Sequence, residues 1–166
     1  MKLLRMIKTN HLMAFLVLLC IGMTGCKNDD YPEETLESES LIEQRYLSFM
    51  TSSLRNGGFF MNEKPDADVL YVINSKKELE KVYTGSIALP DFSLNSYTLI
   101  VGRVNMSSND NYVLIGHDIN IADTKGVLNL YFKKSSGSYS DMKQHTFWGL
   151  YRKINTNKLA INKVVK

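Results

Sequence analysis

The sequence predicts an α+β fold, a mostly antiparallel β sandwich or partly open barrel with one or two short helices. From residue 69 onward, apolar runs of strand length alternate with short turn-forming segments such as 109–111. Two segments, 40–57 and 75–85, place apolar residues at helical spacing and end in glycine. Together these observations indicate a single globular domain over residues 40–166.

The first 25 residues have the features of a secretory signal peptide. Basic residues precede an apolar run at 12–21, and small residues then lead to Cys26. The alternative is an uncleaved anchor helix, but the run is shorter than the roughly 20 residues that a spanning helix needs. The pattern resembles the bacterial lipoprotein signal, which implies cleavage before Cys26 and attachment to the membrane through a lipid on that cysteine. We therefore assign 1–25 as the signal peptide.

Residues 26–39 are expected to form a flexible acidic tether. They contain Pro32, six acidic residues and almost no apolar ones, so they cannot bury enough surface to offset the entropy of ordering. The pair Asp29-Asp30 resembles the acidic export signal of Bacteroidota-type lipoproteins. This resemblance implies an outer-membrane protein on the cell surface. Without such export, the domain would lie on the periplasmic face.

Charge and cysteine content exclude several classes of function. Removing Lys2, Arg5 and Lys8 takes three positive charges from a formal net charge of +3 and leaves the mature chain near neutral. No nucleic-acid partner is therefore expected. The only cysteines are Cys20 and Cys26, so the domain has no thiol for a disulfide, a thiolate zinc site or a nucleophile.

The first predicted helix begins at Ser40 and ends before Gly57-Gly58. Ser40 and Glu43 match a capping box. The apolar residues that follow recur at helical spacing: Ile42, Tyr46, Phe49, Met50 and Leu54. A strand over 46–50 is the competing interpretation.

A strand and a second helix are predicted next. Residues 69–73 are a short β-rich run, and Ser75 with Glu78 forms a second capping box. Leu79, Val82 and Tyr83 give this helix of about two turns one apolar face. Gly85 ends it.

The rest of the sequence predicts β-strands. Residues 97–104 are almost continuously apolar, as expected for a strand covered on both faces. In 112–121, alternation places four apolar residues on one face: Val113, Ile115, Ile119 and Ile121. In 127–133 the apolar face holds Leu128, Leu130 and Phe132. The last two strands are predicted at 145–154 and 158–165.

The segment from Val69 to about Lys163 resembles the C-terminal domain of PrcB-type proteins, subunits of a surface protease complex that are themselves lipoproteins. Three stretches carry the resemblance: 75–79 (SKKEL), 89–93 (LPDFS) before the strand 97–103, and 111–115 (NYVLI). The resemblance implies a non-enzymatic role in which the domain binds or stabilises another extracytoplasmic protein. These motifs are structural and transfer no catalytic residue.

Few residues are candidates for catalysis or metal binding. His117 and His145 are the only histidines after the signal peptide, and their spacing from Asp118 or Asp141 is not that of a metal site. We expect His117 to be a hydrogen-bonded core residue, although a bulge at Gly116 would turn it outward. No serine lies in Gly-x-Ser-x-Gly and no glycine-rich phosphate loop is present. The sequence thus predicts no enzyme, no metal and no cofactor.

The aromatic residues near the end of the chain are the predicted binding surface. Tyr139 lies in a polar loop, and Phe147, Trp148 and Tyr151 follow in one strand. Alternation separates Trp148 from Phe147 and Tyr151, so one of the two sets is expected to face a partner. The alternative is a strand that is covered on both faces. Phe59-Phe60-Met61 is likewise either an exposed apolar patch or part of the core.

The sequence therefore predicts a membrane-anchored lipoprotein that binds another protein, as accessory subunit or inhibitor of an extracytoplasmic protease. A carbohydrate-binding surface lipoprotein is the alternative. An exposed planar aromatic beside carboxamides would favour a glycan, and a broad apolar patch without a pocket would favour a protein.

Overall fold

The computed structural model describes residues 34–60, 63–106, 111–122, 125–135, 144–156 and 158–166. The predicted signal peptide and Cys26 lie outside the described residues. So do Asp29-Asp30, Tyr139 and Asp141. Nothing in the structure bears on these five predictions.

Three helices and seven strands occur in the described part of the chain. The helices are α1 (Ser40–Glu43), α2 (Leu47–Arg55) and α3 (Lys76–Val82). The strands are β1 (Glu34–Glu37), β2 (Val69–Ile73), β3 (Tyr97–Asn105), β4 (Tyr112–Ala122), β5 (Lys125–Lys134), β6 (Gln144–Arg152) and β7 (Leu159–Val165). The fold is α+β, and its two sheets do not close into a barrel, so the predicted class is confirmed as a sandwich.

The first sheet, sheet A, has the strand order β1-β4-β5-β7 among the described residues. Its pairs β1–β4 and β4–β5 are antiparallel, whereas β7 runs parallel to β5. β5 and β7 can run parallel because the chain between them passes through β6, which lies in the other sheet. Sheet B has the order β2-β3-β6 and is antiparallel throughout.

The two sheets enclose one hydrophobic core, and the helices enclose a second. Ile100, Tyr151 and Leu128 belong to the core between the sheets. The other face of sheet B packs through Leu99 and Leu150 against the helices and the loops beside them. Sheet B is thus the middle layer, which explains why β3 is buried along nearly all its length, as its continuous apolar sequence predicts.

The predicted boundary between tether and domain is wrong. Residues 34–37 form β1, with Thr35 opposite Asn120 and Leu36 opposite Ile119. Leu36 packs against the core between the sheets. Pairing with β4 stabilises this acidic segment, although its own composition would leave it unfolded. The domain therefore includes residues 34–39 as well.

The first predicted helix is divided into α1 and α2, and its capping box is wrong. Ser40 makes no capping hydrogen bond, and the N-cap position belongs to Glu39. The second capping box is confirmed at Ser75, whose hydroxyl accepts a hydrogen bond from the Glu78 backbone N–H at 3.3 Å. The two sites differ because the Glu43 carboxylate is used in a tertiary contact described below.

A bulge changes the faces of β4. The register shifts between Leu114 and Gly116, which leaves Ile115 as the extra residue. Val113 and Ile115 therefore point to solvent, at 50% and 52% exposure, while Ile119 is fully buried. The prediction that these three share one face is wrong, and Gly116 is the signal of the bulge.

Candidate functional site

The predicted aromatic surface on β6 belongs mainly to the core. Phe147 is 4% exposed and Tyr151 is fully buried between the sheets. Phe147 lies opposite Gly102 in the β3–β6 ladder, and a Cβ on Gly102 would fall 2.1 Å from its ring. Trp148 is half-buried against the helix-side core. The alternative interpretation, a strand covered on both faces, is therefore correct for the three described residues.

Phe59 and Phe60 are core residues too. Both belong to the helix-side core, and the Arg103 guanidinium lies 5.0 Å from the centre of the Phe60 ring. Met61 lies outside the described residues. The predicted alternative of an exposed apolar patch is thus wrong for both phenylalanines.

His117 links the two sheets and is a hydrogen-bonded interior residue, as expected. Its Nδ1 is hydrogen-bonded to the Tyr151 hydroxyl. Burial lowers the pKa of His117, against an opposing hydrogen bond to the Trp148 carbonyl. Burial, with the nearby Glu43 charge, raises the pKa of Tyr151. Burial thus favours the neutral form of both groups. The bulge at Gly116 turns Ile115 outward instead of His117.

Glu43 lies beside this pair and closes the free edge of β6. Its Oε1 accepts a hydrogen bond from the Leu150 backbone N–H at 2.8 Å, and the Leu150 carbonyl accepts one from the Glu39 N–H at 2.7 Å. Burial raises the pKa of Glu43, and the hydrogen bonds from Leu150 and Ser38 oppose that change. His117, Tyr151 and Glu43 thus form a cluster whose contacts are structural.

A row of polar side chains lies on the outer face of sheet A, the face turned away from sheet B. Asn129 in this row is 7% exposed, and Asp118 and Tyr131 are half-buried. We define this outer face by Thr35, Val113, Ile115, Asp118, Asn120, Asn129, Tyr131, Asn162 and Lys166. Leu128, Leu130 and Phe132 point inward along β5 and are fully buried, so Asn129 and Tyr131 point outward. No described helix or strand packs on this face.

A row of side chains crosses the outer face from strand to strand. Asn162 Nδ2 donates to Asn129 Oδ1 at 2.9 Å, and Asn129 Nδ2 donates to Asp118 Oδ1 at 2.8 Å. The Tyr131 hydroxyl donates to the second Asp118 oxygen at 2.7 Å, which raises the pKa of Tyr131. Each residue fixes the rotamer of the next, so the row is rigid before any ligand arrives.

The rim of this row is apolar and basic. Val113 and Ile115 are exposed at one end of β4. The Lys166 ammonium lies 3.8 Å from the centre of the Tyr131 ring, a cation–π contact. The outer face therefore combines exposed aliphatic side chains, an ordered polar centre and a cation.

A cleft of ≈ 600 Å³ lies between α3 and the loop 89–96. Its loop carries the LPDFS motif of the PrcB-type resemblance. Asp91 Oδ1 accepts from the Ser93 N–H at 2.9 Å, and the Asp91 carbonyl accepts from the Tyr46 hydroxyl at 2.6 Å. Phe92 is buried with its ring centre 4.5 Å from that of Tyr46. The motif thus fixes the loop to the helix-side core, in agreement with its interpretation as structural.

Neither a metal centre nor a membrane-spanning helix occurs in the described part of the chain. No group of three or more His, Cys, Asp or Glu there is placed to hold a metal ion. No helix among the same residues is long and apolar enough to cross a membrane.

Comparison of the chain with family models, with curated proteins and with solved structures gives no match. The resemblance to the PrcB C-terminal domain therefore rests on the sequence motifs alone.

Sequence analysis did not identify the outer-face residues. Asp118 was considered there only as a metal ligand beside the histidines, and Asn129 and Asn162 read as ordinary polar residues of a strand. The available signal was the alternation in β4, β5 and β7, which places a hydrogen-bonding side chain at a middle position of each strand. Only the register shows that the three meet in one row.

Proposed function

We propose that the protein is a lipid-anchored extracytoplasmic lipoprotein whose domain binds another protein and catalyses no reaction. The anchor is the lipid on Cys26, and the location is the outer membrane, at the cell surface or its periplasmic face. The PrcB-type motifs favour a protease as the partner, with this chain as accessory subunit or inhibitor. The observation that carries the proposal is the outer face of sheet A, on which no described helix or strand packs.

The outer face supports a protein partner for two reasons. Val113 and Ile115 expose aliphatic side chains on a β-bulge, which is a defined and outward-facing structure. Beside them, the side chains of Asp118 and Asn129 already form a hydrogen bond with each other. Binding of a partner therefore does not carry the entropy cost of ordering these two side chains. A flat face of this kind suits a broad protein contact better than a small substrate.

Site-specific cross-linking tests this proposal. A photoreactive phenylalanine analogue at Ile115 of the native lipidated protein should form an adduct with one extracytoplasmic protein. The matched control is the same analogue at Leu47 on α2, because the two positions are 52% and 55% exposed. With the analogue at Ile115, Val113→Glu beside it should abolish capture without changing the melting temperature, because Val113 is 50% exposed. Equal adducts at both positions, or none at Ile115, would contradict the proposal.

A glycan is the second candidate ligand, because Tyr131 is an aromatic ring beside the carboxamides of Asn129 and Asn162. Two contacts count against it: Lys166 lies over the Tyr131 ring, and the amides bond each other. Binding of soluble oligosaccharides that is lost in Tyr131→Ala and retained in Ile115→Glu would favour the glycan.

A further inference from the structure

The outer edge of β7 is open in the described part of the chain. β7 is the last strand of sheet A and pairs only with β5 there. The Lys166 N–H donates to the Phe132 carbonyl of β5 at 2.8 Å. Because the direction of backbone groups alternates along a strand, the N–H groups of Ala160, Asn162 and Val164 also face β5. Those of Ile161, Lys163 and Val165 therefore face outward.

Of the other edge strands among the described residues, two are shorter and one is closed at a single residue. β1 has four residues and β2 has five. The edge of β6 is closed where Leu150 bonds to Glu39 and Glu43. β7 has seven residues, no proline and no shift of register against β5. Of the features that prevent an edge strand from pairing with another chain, it carries the charge of Lys163 but no proline and no bulge.

The charges around β7 determine which kind of peptide segment can bind at its outer edge. Residues 125–135 and 144–166 contain no aspartate or glutamate. Lys133, Lys158 and Lys166 are exposed there, whereas Lys163 is held by Asp68 at 2.7 Å. A strand added at this edge is therefore attracted if it is acidic and repelled if it is basic. The repulsion also disfavours pairing of β7 with β7 of a second copy.

We infer that the outer edge of β7 binds an extended acidic segment of a partner protein, which extends sheet A as an additional strand. This inference rests on the proposed protein-binding function and names the kind of segment that is bound. β7 lies at the edge of sheet A opposite β1, about 14 Å away at the usual strand spacing.

Three synthetic octapeptides test the inference on the mature chain: alternating Glu-Val, alternating Lys-Val, and the Glu-Val peptide with alternate N-methylated amides. The last keeps charge and side chains but cannot pair as a strand. Fluorescence anisotropy at low salt should give an affinity for the Glu-Val peptide at least roughly tenfold higher than for the other two. Equal affinity for the Glu-Val peptide and either of the other two overturns the inference.

Two variants locate the site. Val165→Pro removes one outward N–H and no hydrogen bond to β5, and should weaken peptide binding, whereas its control Val165→Thr should not. Lys158→Glu with Lys166→Glu should weaken binding of the acidic peptide, whether or not the proline variant folds. Unchanged binding in the charge variant, or in a folded proline variant, overturns the inference.

Two further outcomes separate this inference from its alternatives. Oligomers that grow with protein concentration and disappear in Glu34→Lys with Glu37→Lys would make β1 of a second copy the occupant, and would overturn the inference. If the Ile115 cross-link forms and the peptides do not bind, the edge inference is wrong while the proposed function stands.

Discussion

Leu99→Ala and Ile100→Ala test the three-layer arrangement, because these neighbours in β3 point into different cores. Both are 0% exposed; Leu99 faces the helices and Ile100 faces sheet A. Each change deletes three carbon atoms, worth about 2.4 kcal/mol at about 0.8 kcal/mol per buried CH₂. The cavity that remains adds to this, so each variant should lose about 3–4 kcal/mol, within the 2–5 kcal/mol usual for such truncations.

Urea unfolding of the soluble mature chain measures these losses. The control is Val113→Ala, whose half-exposed side chain should cost about 0.5 kcal/mol or less. A cost below about 1 kcal/mol for Ile100→Ala alone would refute the packing of the two sheets against each other.

Four further predictions follow from the same features. Cys26→Ala should abolish labelling by a fatty-acid analogue; retained label contradicts the lipoprotein assignment. Removing residues 27–33 should leave the melting temperature unchanged, whereas removing 27–39 should lower it because β1 and the Glu39–Leu150 bond are lost; equal melting temperatures contradict this. Because burial holds the folded-state pKa of His117 below its usual 6.5, its contribution to stability is complete above pH 6.5 and is lost as the pH falls toward the folded pKa. Melting temperatures between pH 5 and 8 should therefore fall less on acidification in His117→Gln; an unchanged slope contradicts the assignment. Gly149→Ala should destabilise by about 1–3 kcal/mol, as its Cβ would lie 2.8 Å from His117 Cε1 and 3.0 Å from the Tyr151 ring; unchanged urea unfolding would contradict this.

The elements that the sequence predicts correctly are those whose signal is local. Residues 69–73 form β2 with the predicted bounds, because the apolar run and its β-branched residues are sufficient there. Ser75 caps α3 through a contact three residues away. The continuous apolar run of β3 also reports directly that both faces are covered.

The errors occur where a distant contact decides the outcome. β1 is stabilised by pairing with β4, about 85 residues later, which the composition of an acidic segment does not reveal. Glu43 leaves its predicted capping role for the Leu150 N–H, 107 residues away in sequence. The parallel pairing of β7 with β5 depends on the path of β6 through the other sheet, and strand propensity carries no information on that path.

The same dependence on distant contacts explains why the binding surface that the sequence predicts, on β6, differs from the one that we propose, on sheet A. Aromatic residues are enriched both in cores and at binding sites, so Phe147 and Tyr151 are equally compatible with either role until Gly102 and His117 are seen to occupy the space beside them. Asn129 is the opposite case, because an amide across a strand from the apolar face gives no sign of a functional role in the sequence. In the structure it accepts from Asn162 and donates to Asp118. Fixing these side chains before binding removes part of the entropy cost of association, and this is why we propose the outer face, with its ordered polar row, as the interface instead of the aromatic residues of β6.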